Sequence, residues 1–191
     1  MDNHFGQKTL DAVKSFQKAK GLAGSGMIGD KTLEYLGLKV VPSTVVVPVG
    51  TSNQDKVLVI ANKEIGVKEI TGASHNKRIL EYHSTTGKFS DDETSWCGSF
   101  VSWCLKEAGL LTLGSEGAGA RNWLKYGTAT TKPKPGDIVV YWRESKSGWK
   151  GHVHFYQSED ANYIYGIGGN QGNAVTLARY PKSQVLGYRT Y

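Results

Sequence analysis

The sequence has few of the features that define disulfide-rich secreted proteins or membrane proteins. Only two cysteines occur among its 191 residues, too few for a disulfide framework. No apolar run approaches the roughly 20 residues that a membrane-spanning helix needs. The first residues also lack the apolar core of a secretory signal peptide. We therefore expect a protein that is made in the cytoplasm, does not insert into membranes and is released by a route other than a signal peptide.

Charged residues are ordinary in number but unequal in sign. Lysine and arginine outnumber aspartate and glutamate by 23 to 17, which gives a net charge of +6. Such a charge favours an acidic partner, either a nucleic acid, an anionic membrane surface or a cell wall polymer. The lysines are scattered and no nucleic-acid-binding motif occurs, so we expect no nucleic-acid partner.

The stretch TSWCGSFVSWCLKEAGL, residues 94–110, predicts a helix that begins near a cysteine. Apolar residues recur from Cys97 at the spacing of one buried helical face, with Ser95 as the predicted N-cap and Gly109 as the stop. In the first turn, unpaired N–H groups and the helix dipole favour a thiolate, so we expect a lowered Cys97 pKa. Alternatively, Cys97 is only a structural residue, the first one of the buried helical face. Cys104 lies about 10 Å further along the helix, too far for a disulfide, and is expected in the core.

The chain divides into a short repeat, a linker and a longer segment. FGQKTL at residues 5–10 returns as IGDKTL at residues 28–33, and each phrase precedes a predicted helix. Two prolines and several small residues predict an extended linker at 39–52. From residue 53 onward, helical patterns come first and β-like runs follow, which predicts an α+β domain with an antiparallel sheet. The expected boundaries are therefore 1–38, 39–52 and 53–191.

A cysteine nucleophile needs a base, and the base needs a residue that orients it. In the predicted strand GHVHF, His152 and His154 share one face, while Val153 and Phe155 share the other. Asn170, in GGNQGN, follows the next predicted strand and can accept a hydrogen bond from an imidazole. The same glycine-rich phrase is also typical of a turn.

Two sets of phrases resemble known families. DNHFGQKTLDAVKSFQKAKGL followed by GMIGDKTL resembles the peptidoglycan-binding domain of cell wall hydrolases and phage endolysins, here without its first helix. DETSWCGSFVSWCL, KPGDIVVY, GHVHF and GGNQGNAV, in this order, resemble the CHAP and NlpC-type cysteine peptidases. Those enzymes are papain-like amidohydrolases of peptidoglycan.

The resemblance implies a papain-like fold with Cys97 as nucleophile, His152 as base and Asn170 as the residue that orients His152. We also expect Trp96, His154 and Gln171 to contact the substrate. The implied partner is bacterial peptidoglycan, cleaved at the muramoyl–alanine amide or at a stem-peptide bond, with no metal or other cofactor. The implied role is that of a monomeric endolysin that acts on the cell wall after release.

Two other functions remain open. GHVHF also resembles a motif of lysostaphin-type zinc endopeptidases, in which His152 and His154 would be ligands. Those enzymes need an upstream histidine with an aspartate four residues later, whereas His75 is followed there by isoleucine and His83 by glycine. The second is a catalytically silent wall-binding protein that uses the papain-like part as a scaffold.

Overall fold

The structure is a computed structural model that describes residues 7–22, 30–37, 52–72 and 74–191. The chain forms two compact units, Met1–Val46 and Val47–Tyr191. The predicted linker at 39–52 lies outside the described residues except for Ser52, and so do the first residues of both repeated phrases. None of the described helices is both long enough and apolar enough to cross a membrane.

The first unit contains two helices, α1 (Gln7–Ala19) and α2 (Asp30–Tyr35). The buried amide of Gln17 on α1 donates a 3.1 Å hydrogen bond to the Thr32 hydroxyl on α2. Gly21 adopts a φ of +70°, a left-handed conformation that suits glycine and ends α1 as the sequence predicts.

The second unit places its helices before its sheet. The helices are α3 (Asn53–Lys63), α4 (Lys77–His83) and α5 (Cys97–Glu107), and three 3₁₀ turns occupy Gly114–Ala118, Ala120–Lys125 and Lys182–Gln184. The strands are β1 (Thr128–Thr130), β2 (Ile138–Trp142), β3 (Gly151–Glu159), β4 (Tyr163–Gly168), β5 (Thr176–Pro181) and β6 (Val185–Thr190). The sequence predicts five strands, at 137–142, 151–157, 163–167, 174–180 and 185–191, which correspond to β2–β6, and it does not predict β1. It also predicts a short helix at 118–126, where the 3₁₀ turn Ala120–Lys125 lies.

The six strands form one antiparallel sheet in the order β1-β6-β2-β3-β4-β5. The last strand therefore lies inside the sheet, between β1 and β2. A helical module followed by helices and an antiparallel sheet confirms the predicted α+β fold class.

Helix α5 crosses one face of the sheet and forms the main core. Every side chain from Cys97 to Leu105 is buried, including the predicted core residue Cys104. Phe100 of α5 meets Phe155 of β3 with 6.3 Å between ring centroids. Burying one such side chain is worth about 1.5–3 kcal/mol, so this contact fixes α5 against β3. The predicted N-cap was wrong, because Trp96 is the N-cap and its side chain makes no capping bond.

The opposite face of the sheet buries a second cluster, which is rich in tyrosine. Its members are Val139, Tyr141, Tyr156 and Ile164, with Tyr180, Val185 and Tyr188 packed against them. Because strand residues alternate between faces, β3 sends Val153 and Phe155 toward α5 and sends His152 and His154 toward the tyrosines.

Gln54 of α3 links the start of the second unit to its last residue, Tyr191, through hydrogen bonds. The Gln54 amide nitrogen donates to Asp137 Oδ1 at 3.1 Å, to Thr190 Oγ1 at 3.0 Å and to the Tyr191 carbonyl at 2.8 Å. Asp137 also accepts from the Lys134 N–H at 2.8 Å, so it forms the turn before β2, as expected of a PGD phrase.

Candidate active site

Cys97 is the first residue of α5, and its side chain is only 4% exposed. Burial raises the pKa of the Cys97 thiol and outweighs the charge of Arg143 and the nearby Val153 N–H, which both lower it. The pKa lowering predicted from the helix start was therefore wrong. Neighbouring N–H groups and a positive charge favour the thiolate, but desolvation disfavours it more strongly.

His152 and His154 are fully buried beneath the tyrosine cluster rather than facing solvent. The His152 ring lies 4.6 Å from the Tyr180 ring. Burial lowers the pKa of His152 well below its usual value, and the charges of His154 and Arg143 add to this effect. Cys97 and His152 therefore rest as a neutral thiol and a neutral imidazole.

Gln171 joins the two histidines through its side-chain oxygen. Oε1 lies 3.1 Å from His152 Nε2 and 3.2 Å from His154 Nδ1. The Gln171 nitrogen donates to the Thr176 carbonyl, which leaves the oxygen facing the imidazoles. Because an amide oxygen only accepts, both imidazoles must donate to it.

These bonds determine which nitrogen of each histidine carries the proton. His154 is protonated on Nδ1, so its Nε2 accepts from the Tyr141 hydroxyl at 2.8 Å. His152 is protonated on Nε2, so its Nδ1 holds a lone pair. That nitrogen is buried and has no hydrogen-bond partner among the described residues. His152 is thus prepared to accept a proton at Nδ1, on the strand whose Val153 N–H lies near the Cys97 sulfur.

The contacts of Asn170 differ from its predicted role. Its side-chain nitrogen donates at 2.9 Å to Glu69 Oε1, which also accepts from Trp96 Nε1 at 2.8 Å. Asn170 has a φ of +56°, a left-handed turn conformation. This turn directs Gln171, not Asn170, to His152. Asn170 instead helps Glu69 to hold the residue that precedes Cys97.

The three residues predicted to contact the substrate are buried in the structure. Trp96 and His154 are fully buried, and Gln171 is only 5% exposed. Their side chains are engaged by Glu69, by Tyr141 and by the two imidazoles, so none of them forms a wall of an open groove.

The open surface at Cys97 is a cavity of about 390 Å³. Cys97, Ser95 and residues 118–120 line one part of it, and residues of the β2–β3 loop line the other. The loop contributes Arg143 and Trp149, which the sequence analysis did not select. A cation and a tryptophan in a short loop between two predicted strands were the available signal.

A second cavity of about 490 Å³ meets the first at Ser95. It is lined by Glu69, Asn170 and neighbouring residues of the 68–71 and 172–174 segments. Cys97 therefore lies beside two cavities that share Ser95 as a lining residue.

Metal ligation has little support from the side chains present. Within the described parts of the chain, no three histidine, cysteine, aspartate or glutamate side chains come together as a metal site. Both nitrogens of His154 are already hydrogen-bonded, one to Gln171 and one to Tyr141.

Comparison with protein families identifies both units. The model of the CHAP domain matches residues 89–170, which include Cys97, His152 and Asn170. The model of the putative peptidoglycan binding domain matches residues 1–36. The chain thus carries a CHAP domain behind a peptidoglycan-binding domain, as its motifs indicated. No curated protein matches the chain.

Together the two domains support a peptidoglycan hydrolase. The CHAP domain implies amidase or endopeptidase activity, and the peptidoglycan-binding domain supports peptidoglycan as the partner.

Proposed function

We propose that the protein cleaves an amide bond of peptidoglycan by a thiol mechanism, with Cys97 as nucleophile and His152 as base. The bond is the muramoyl–alanine amide or a stem-peptide bond. The observation that carries this proposal is the contact between His152 Nε2 and the Gln171 side-chain oxygen, from which the proton position on His152 is inferred. Gln171 accepts from Nε2, which leaves the Nδ1 lone pair free to take a proton. In this proposal Gln171, rather than Asn170, orients the base.

The reaction begins from the neutral pair. His152 Nδ1 takes the thiol proton, and the Cys97 sulfur attacks the amide carbonyl. As the carbon–nitrogen bond breaks, the imidazolium gives that proton to the leaving amine, and a thioester remains. Water then attacks the thioester, passes a proton to His152 and releases the acid, and the proton returns to the cysteine sulfur.

The start of α5 offers donors for the oxyanion of the tetrahedral intermediate. The first N–H groups of a helix have no partner within the helix. Trp96, the N-cap, supplies no side-chain acceptor for them. These N–H groups therefore remain available for the negative oxygen that forms next to Cys97.

The test compares Cys97→Ala with Cys104→Ala, two cysteines on the same helix. Soluble fragments released from purified sacculi are measured, and mass spectrometry identifies the cleaved bond. We expect no release by Cys97→Ala, although the variant remains folded. Cys104→Ala should stay active and lose about 1–2 kcal/mol of stability, because a small cavity forms.

The same assay separates the competing functions. Release by Cys97→Ala, together with inhibition by a chelator, would replace the thiol mechanism with the zinc mechanism based on His152 and His154. If the wild-type protein binds sacculi but releases nothing from any wall type, the chain is a silent wall-binding protein.

We also propose that the protein acts as a monomeric endolysin, made in the cytoplasm and released to the wall. The combination of a wall-binding module and a hydrolase domain supports this role, as does a net charge of +6 that suits an anionic wall. The turbidity of permeabilised cells should fall on addition of the wild type and should not fall with Cys97→Ala.

A further inference from the structure

One of the cationic side chains that line the cavity at Cys97 has no ion-pair partner in the cavity wall. Lys150 and Glu144 both line the cavity, and they pair with each other at 2.7 Å. None of the described carboxylates forms an ion pair with Arg143. The cavity next to the candidate nucleophile therefore keeps one uncompensated positive charge.

Arg143 is held at the position where β2 ends. Its backbone N–H donates to the Lys150 carbonyl at 3.1 Å, which closes the base of the β2–β3 loop. Arg121 fixes the rest of that loop with three hydrogen bonds of 2.7–2.9 Å to the carbonyls of Ser145, Lys146 and Lys150. Arg143 is half-buried, and its guanidinium is close enough to Tyr180 to oppose the rise in the tyrosine pKa that burial causes.

The loop adds an apolar surface beside this charge. Trp149 lines the same cavity and is 83% exposed, although a tryptophan gains by burial. A ligand that fits the cavity would therefore carry an anionic group for Arg143 and an apolar part for the indole.

We propose that Arg143 binds a carboxylate of the substrate next to the scissile amide and so selects stem peptides whose carboxylate is free rather than amidated. This inference rests on the proposed function. A guanidinium suits the task because its planar fork can give two parallel hydrogen bonds to one carboxylate. An amide at the same place offers one acceptor oxygen and no charge.

A general electrostatic role is the competing explanation. Arg143 is close enough to Cys97 and His152 to favour the thiolate and to disfavour the imidazolium. If Arg143 acted only in that way, its loss would slow cleavage of every substrate by the same factor. If Arg143 binds a carboxylate, its loss should slow the cleavage of only those substrates that carry the free carboxylate.

The experiment uses soluble muropeptides in two forms, one with free carboxylates and one amidated with carbodiimide and ammonia. The value of kcat/KM is measured on both forms for the wild type, Arg143→Gln, Arg143→Lys and the control Lys146→Gln, an exposed lysine of the same loop that does not line the cavity. We expect the wild type to prefer the free form by about 10- to 100-fold, the range for hydrogen bonds to a charged group. Arg143→Gln should lose that preference because it slows on the free form only. Arg143→Lys should keep part of the preference, and Lys146→Gln should keep all of it.

Two results overturn the inference. One is a wild type that cleaves both forms equally, and the other is an Arg143→Gln variant that slows equally on both. Cys97→Ala in the same series tells the two proposals apart. If it is inactive while Arg143→Gln shows no selectivity change, only the carboxylate assignment fails, whereas an active Cys97→Ala removes the thiol mechanism itself. Arg143→Lys, which keeps the charge, decides the matter if Arg143→Gln does not fold.

Discussion

Acid should destabilise the CHAP domain through His154, at pH values where most carboxylates are still charged. Burial lowers the pKa of His154 to about 4, although the hydrogen bond that His154 donates to Gln171 acts in the opposite direction. In the unfolded chain the same imidazole has a pKa of about 6.5. In the unfolded state His154 therefore binds a proton below about pH 6.5, whereas in the folded state it binds one only near pH 4.

The sign and size of the effect follow from these two values. The contribution of His154 to stability is complete above the unfolded pKa and is lost as the pH falls toward the folded pKa. A difference of about 2.5 pKa units corresponds to about 3 kcal/mol of stability lost from this one residue. His152, whose pKa burial also lowers, adds a loss of the same sign.

Urea unfolding of the wild type and of His154→Gln, at several pH values between about 7 and about 4, measures the effect. All five tryptophans lie within residues 47–191, so their fluorescence follows this unit alone. His154→Gln should start less stable, because the glutamine amide does not reproduce the imidazole's bonds to both Tyr141 and Gln171, but should lose about 3 kcal/mol less on acidification. Cys104→Ala controls for a lower starting stability and should keep the wild-type pH dependence. Parallel curves for the wild type and His154→Gln would refute the reasoning.

Two further substitutions test residues that hold the candidate active site in place. Gly166→Ala would push a methyl group against the His154 ring and the backbone of β3, so we expect a loss of about 1–3 kcal/mol and slower turnover. The control Gly148→Ala, whose new methyl group would approach nothing closer than 3.5 Å, should behave as wild type in melting and turnover assays. Arg121→Gln removes the donors that hold the β2–β3 loop, so kcat/KM should fall about 10-fold with only a small change in melting temperature. A large loss of stability without a change in kcat/KM would contradict that role.

The periodicity of apolar residues was sufficient to predict most of the fold. The spacing of apolar residues predicted α5, and alternation predicted β3 with Val153 and Phe155 on one face and the two histidines on the other, because both patterns are local. A short helix was predicted at 118–126, where the structure has the 3₁₀ turn Ala120–Lys125, since apolar spacing alone does not distinguish a 3₁₀ turn from an α-helix. Strand β1 is three residues long and carries too little pattern to be predicted.

The site was predictable in its residue types but not in its details. Whether Asn170 or Gln171 reaches His152 depends on the left-handed backbone at Asn170, which a glycine-rich phrase permits without specifying. The direction of the Cys97 pKa depends on burial by residues distant in sequence. The proximity of Arg143 to Cys97 arises from the pairing of β2 with β3, so no local motif reports it.

The position of β6 inside the sheet sets the order in which the enzyme can mature during synthesis. Strand β2, which pairs with the histidine-bearing strand, exposes a bare edge until β6 is added between it and β1. The hydrogen bond from the Gln54 amide, near the start of the unit, to the carbonyl of Tyr191 also cannot form until Tyr191 is present. Long-range pairing of this kind forms late. A ribosome-bound chain that still lacks β6 therefore holds an unfinished sheet, in which β2 has only β3 as its partner.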